Sequence, residues 1–178
     1  MDKTVLEYVK VSTLRSIVKL TMESLGWEVV NRKMPAIRIG TGNSYDWTLH
    51  RIEVTDADMG IIAHEICHSL QSNKDNDKYI SHTVDYDGYI NQPCEKEAFI
   101  IGQFIEYIDK HKDHQLKWSM LPNKPTRSYR LRLNRLIRKF REEREVGLNR
   151  RLNSLLKKVD NALDEKEREA DYVSNTMD

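Results

Sequence analysis

The stretch Gly60-Ile61-Ile62-Ala63-His64-Glu65-Ile66-Cys67-His68-Ser69-Leu70-Gln71 decides how this chain is read. It reads as a helix over 57–72, because Thr55, Asp56 and Asp58 around its start carry side chains that cap a helix N-terminus. On that helix His64 and His68 stand at i and i+4, one turn apart on one face. Two imidazoles so placed can each give a nitrogen to one metal ion at about 2.0–2.1 Å. Glu65 projects about 100° around the axis from His64, outside the same coordination sphere but within reach of a water on the metal. Two ligands and one proton acceptor are what metal-assisted hydrolysis requires.

A catalytic metal also needs a third protein ligand and an open position. Pro93-Cys94-Glu95-Lys96-Glu97-Ala98 opens the next long helix, with Pro93 suited to the first turn, where its missing N–H is not needed. That helix is expected over 93–112, with Ala98, Ile101, Phe104, Ile105 and Ile108 on one face. Glu95 and Glu97 point to different sides of it, so one of the two faces the metal. The intervening 73–92, read as a loop, offers His82, Asp85 and Asp87 as other donors. Tyr86, Tyr89 and His82 are candidates for a second donor to developing negative charge. Cys67 and Cys94 adjoin the proposed ligands, and Cys67 lies off the histidine face, which makes it a packing residue.

With these residues in place, the chain resembles the zincin metallopeptidases, and among them the glutamate-ligand group, the gluzincins. In that group the HExxH helix is followed by a second helix whose glutamate is the third ligand, with a small residue three positions on. Glu95 with Ala98 matches that register, and Glu97 is the reserve. The resemblance covers about 47–108 and implies a zinc ion held by His64, His68 and Glu95, with Glu65 activating water to hydrolyse a peptide or protein. The metzincin pattern does not fit, since Gln71 and Lys74 stand where a glycine and a third histidine belong. The family binds an extended peptide along an edge strand ahead of the HExxH helix. The run 47–54 occupies that place, where the main chain would give affinity and side-chain pockets selectivity.

Outward from this centre, 2–25 reads as a helix with Leu6, Val9, Leu14, Ile17, Val18 and Leu25 along one stripe and Gly26 as its stop. The runs 27–31, 36–40 and 47–54 are β-like, with turn chemistry at 41–44, and imply a small antiparallel sheet. Beyond Pro122 and Pro125 the pattern is helical almost to the end. Leu133, Leu136, Ile137 and Phe140 form one stripe. Leu148, Leu152, Leu155, Leu156, Val159 and Leu163 form another, with Gly147 between them as a hinge. The 124–144 stretch holds nine basic and two acidic residues, whereas 160–178 holds seven acidic and two basic. An antiparallel hairpin turning near Gly147 would bring the two together, and an extended coil with the basic part as an arm for a partner is the alternative. The expected architecture is α+β and mostly helical: a minimal zincin-like domain over 1–120 and a charged helical appendage over 121–178.

Composition narrows the function classes. The chain has 178 residues and a formal charge of +1, so no global field draws it to nucleic acid or membrane. No run approaches the roughly 18 apolar residues of a membrane-spanning helix, and the charged start lacks the apolar block of a signal peptide. Two cysteines do not make a disulfide scaffold. The expected location is the cytoplasm, or the virion if the chain is phage-encoded, since small HExxH proteins of this size are similar to ones carried in phage genomes. Expected partners are a peptide or protein substrate and further copies through the C-terminal helices. Arg127, Arg130, Arg135, Arg138 and Arg141 form a basic face that suits nucleic acid or an acidic protein. The rival to an enzyme is an interaction or assembly protein built on the same scaffold.

Overall fold

The computed structural model describes residues 11–56, 58–71, 86–111 and 118–175. The fold is mostly helical α+β with a small three-stranded mixed sheet. Helix α1, Val11–Ser24, buries Leu14, Ile17, Val18, Leu20 and Met22. It ends at Gly26, whose φ of 78° lets the Gly26 N–H reach the Glu23 carbonyl and the Trp27 N–H reach the Met22 carbonyl. This paired closure satisfies carbonyls that the helix end leaves without partners.

The sheet departs from the antiparallel expectation. Strand β1 is Ala36–Ile39, β2 is Ser44–Asp46 and β3 is Arg51–Val54, in the spatial order β1-β3-β2. Strands β1 and β3 run parallel, with Ile37 beside Ile52, and β2 pairs antiparallel with β3. The run 47–54 is therefore not one strand. Asp46 Oδ1 accepts from the Thr48 and Leu49 N–H groups, and His50 takes a φ of 46°, so the chain turns over 47–50 before β3 begins. Tyr45 Oη meets His50 Nδ1, and His50 Nε2 meets the Lys33 carbonyl, which holds that turn against the sheet. As the central strand, β3 has no free edge to offer; β2 is the edge strand on the side away from β1. The run 27–31 is not a strand, although Val30 N–H reaches the Leu70 carbonyl.

Helix α2, Met59–Leu70, starts at Asp58, whose side chain accepts from the Gly60 and Ile61 N–H groups. Ten of its residues are buried, so this is the central helix, covered by neighbours nearly all round. The short helix α3, Tyr86–Ile90, occupies part of the expected loop. Helix α4, Pro93–Lys110, begins at Pro93 as expected and crosses α2 closely. A β-carbon on Gly60 would lie 3.0 Å from the Gly102 carbonyl oxygen, and one on Gly102 would lie 3.0 Å from the Gly60 carbonyl oxygen. A side chain at either position would press on the facing backbone, so glycine favours so short a separation.

Helix α5, Arg127–Asn175, is one continuous helix of 49 residues. It passes through Gly147 without a break, so of the two expected forms, hairpin and extended coil, the chain takes the extended one. A single glycine costs a helix interior only about 1 kcal/mol, too little to stop it. Leu133, Ile137 and Phe140 belong to the same core as Leu14, Ile17, Ile66 and Ile105, so the core continues past residue 120 into α5. Arg141 donates to the Ile108 and His111 carbonyls, and the Arg144 guanidinium meets Asp109. These contacts spend two of the basic side chains on the C-terminus of α4, where positive charge is favoured.

Candidate metal centre

Helices α2 and α4 bring His64, His68 and Glu95 together, the one such group of three among the described residues, with ligand atoms all within 4.8 Å of one another. His64 Nε2 lies 3.3 Å from Glu95 Oε2, and His68 Nε2 lies 3.3 Å from Glu95 Oε1. The two Nε2 atoms are 3.1 Å apart. Tetrahedral bonds of about 2.0–2.1 Å would separate ligand atoms by about 3.3 Å. The three side chains thus already stand at the spacing of one small ion.

Glu95 supplies the strongest indication. It is fully buried, and apart from the two imidazoles neither carboxylate oxygen has a hydrogen-bond donor. A buried carboxylate without donors is costly unless a cation compensates it. Its place in the first turn of α4 helps, since the helix N-terminus favours an anion. Burial pushes its carboxyl up, but the two imidazoles beside it outweigh that and hold it down at about 2. For His68, burial pushes the imidazole down while the Glu95 carboxylate pushes it up, and the net direction is up.

A chain of hydrogen bonds behind His68 sets its tautomer. Gln71 Nε2 donates to the Cys94 carbonyl at 2.8 Å and to Glu97 Oε2 at 3.1 Å. Both of these groups accept only, so the amide must present Oε1 to His68 Nδ1, 2.8 Å away. Nδ1 therefore carries the proton, and Nε2 of the neutral ring turns its lone pair toward Glu95 and His64. Such outer partners orient a ligand histidine and strengthen it. Glu97 thus takes part through Gln71 and stands outside the cluster of three. Nothing in the sequence marked Gln71 beyond its position three residues after His68, at the end of the helix. On the other side, the Phe99 ring lies edge-on to His64 with centroids 4.8 Å apart.

Glu65 is 4% exposed. Burial pushes its carboxyl above the usual range, while the two imidazoles pull it part of the way back. It lines a cleft of about 420 Å³ together with His64, Tyr89 and Phe99. Asn43, just before β2, closes the cleft from the sheet side, and Gly102, Gln103 and Glu106 close it from α4. A proton acceptor and a candidate ligand thus face one open volume.

Of the other sequence candidates, Tyr89 reaches the cleft, and Asp87 is exposed on α3 and outside the cluster. His82, Asp85 and the side chain of Tyr86 lie outside the described residues, as does Lys74. Cys67 is fully buried with its Sγ 3.7 Å from Met22 Sδ, in the packing role expected. Burial pushes the thiols of Cys67 and Cys94 up, away from the thiolate form. Compared with protein-family models, curated proteins and solved structures, the chain gives no match to any of them. The reading of this centre therefore rests on its own geometry.

Proposed function

We propose that this chain is a zinc-dependent metallopeptidase of the zincin type, with His64, His68 and Glu95 as the metal ligands and Glu65 as the general base. The observation that carries the reading is the buried Glu95 carboxylate, met only by the two imidazole nitrogens of the HExxH helix at 3.3 Å. Two neutral imidazoles and one carboxylate are a donor set that suits zinc, and a three-ligand site leaves a position for chemistry. Bound there, zinc would supply Lewis acidity toward a scissile carbonyl and lower the pKa of a water. Glu65, from the same helix but a different direction, would take the proton of that water and pass it to the leaving amine. Its burial favours this role, because a carboxyl raised toward neutral pH is the better proton acceptor. Tyr89, which lines the cleft, is the candidate donor to developing charge on the substrate.

The substrate is a peptide or protein segment in extended form. The expected pairing strand, 47–54, gives way to β2, which is the edge strand and follows directly from Asn43 in the cleft wall. No helix among the described residues is long and apolar enough to cross a membrane.

Glu65→Gln tests the reading, because it keeps size and hydrogen bonding and removes the proton acceptor. Zinc content should stay at one per chain while cleavage of a broad peptide library falls at least ~100-fold, the usual worth of general-base catalysis. Equal cleavage by the variant and the wild-type chain would remove Glu65 from the mechanism. A zinc-loaded wild type that cleaves nothing would leave the scaffold as a docking or assembly protein.

A further inference from the structure

Past Arg144, helix α5 leaves the core. Val146, Leu148, Leu152, Leu155, Leu156 and Val159 are each between 41% and 55% exposed. The spacing of Leu148, Leu152, Leu155 and Val159 alternates four and three, which is the seam of a left-handed coiled coil. The core stripe Leu133, Ile137 and Phe140 has the same alternation, but its continuation falls on Arg144, Gly147 and Arg151. The second seam is thus displaced by one residue, about 100° around the axis. It points about a quarter turn away from the core stripe, and about 45 Å of helix follows Arg144.

Charge indicates what covers the seam. Arg150, Arg151, Lys157 and Lys158 make the first half of this segment basic, with no acidic residue among 146–159. Asp160, Asp164, Glu165, Glu167, Glu169 and Asp171 make the second half acidic against Lys166 and Arg168. A parallel pair would set like charge on like charge. A foreign basic or acidic helix would match one half and repel the other. A second copy run in reverse matches both halves at once, and a continuous helix cannot reverse upon itself.

We infer that 146–168 pairs antiparallel with the same segment of a second copy, crossing near Lys157. In that register Leu155 faces the second copy's Val159, Leu152 faces its Ala162, and Arg150 lies opposite its Asp164. The inference is independent of the metal centre. Each α5 is rooted in its own core at Leu133, Ile137 and Phe140, so the pair holds two clefts at opposite ends of one rod.

Sedimentation equilibrium of the full chain tests the pairing, with Leu152→Glu/Val159→Glu as the variant, since both positions are exposed in the single chain. The wild type should show twice the monomer mass and the variant the monomer mass with zinc content unchanged. A wild type that stays monomeric into the millimolar range overturns the inference, whatever the variant does. Cysteine cross-linking, read by mass spectrometry, tests the direction. A mixture of Leu148→Cys and Lys166→Cys chains should form the mixed disulfide. A 148–148 disulfide from Leu148→Cys alone would mean a parallel pair and overturn the antiparallel arrangement.

Discussion

Helix α2 and the second half of helix α5 break the hydrophobic partition in opposite directions. In α2, Glu65, His68 and Ser69 are buried among isoleucines. In α5, leucines at 148, 152, 155 and 156 stand in solvent amid arginines and lysines. Buried polar groups are costly without partners, and an exposed leucine forgoes roughly 1.5–3 kcal/mol of burial. On the two readings proposed above, a chain that keeps both departures is incomplete in two places. The first lacks charge and calls for a cation; the second lacks apolar surface and calls for another helix. The geometry agrees in each case, with three converging donor atoms on α2 and α4 and a heptad seam with reversed charge on α5.

The sharpest way to break the first half of this comparison is to remove the imidazoles. His64→Ala/His68→Ala should lose its zinc entirely by elemental analysis, and retention of one zinc per chain would move the site elsewhere. Acidification is the reversible form of the same test, because zinc takes imidazoles only in their neutral form. The net upward push of Glu95 on His68 lets protons compete above the ordinary imidazole range. Zinc affinity should therefore begin to fall at a higher pH than an unperturbed histidine would give. Affinity flat down to the ordinary histidine range would mean that Glu95 does not raise His68, and affinity that stays flat below that range would mean that His68 is not among the ligands.

The core half of α5 gives the next largest effect. Leu133 is fully buried, and Leu133→Ala should cost about 2–5 kcal/mol in denaturant unfolding, the usual range for a buried leucine. A loss under about 1 kcal/mol would detach α5 from the core and make the whole helix an appendage.

Much of this was legible in the sequence, and the residues show why. The helix of His64 and His68, the cap at Asp58, the stop at Gly26 and the start at Pro93 all follow from local chemistry. The choice of Glu95 over Glu97 comes from the resemblance of its register with Ala98 to the gluzincins, and Glu95 is the one of the two that lies beside the imidazoles. What escaped was set by competition between local choices or by tertiary context. The alternation of 47–54 suggests one strand, yet Asp46 offers its side chain to two N–H groups and turns the chain instead. Insertion of β3 between β1 and β2 is a matter of topology that no periodicity encodes. Gly147 carries a hinge signal, but its neighbours are strong helix formers and outweigh it. Gln71 gave no signal at all, because its role depends on Cys94 and Glu97 arriving from another helix.

That outer contact can be weighed. Gln71→Ala removes the acceptor that fixes the His68 ring and leaves all three proposed ligands in place. Zinc affinity should fall about 10–100-fold, the usual worth of a partner behind a ligand histidine, measured by competition with a chromophoric chelator. Gln71→Glu keeps an acceptor toward Nδ1 but sets a second carboxylate against Glu97, so it should recover only part of the loss. An unchanged affinity in Gln71→Ala would mean that packing against Phe99 and the α2–α4 crossing orient the histidines without help.

The smallest effect tests the other side of the comparison, and it depends on concentration. Leu155 is 47% exposed in the single chain. In dilute solution Leu155→Ala should therefore change unfolding free energy by no more than about 0.5 kcal/mol, as for surface positions in general. Alanine's higher helix propensity could even bring the change to zero. If two copies pair along this seam, the wild type gains stability as concentration rises, because association favours the folded form by mass action. The variant gains less, so the two melting curves should separate with concentration. Curves that stay together at every concentration would leave the seam unpaired. A large loss already present in dilute solution would mean that the second half of α5 packs within its own chain. The contrast with Leu133 would then disappear, since one helix would bury both of its stripes in a single core.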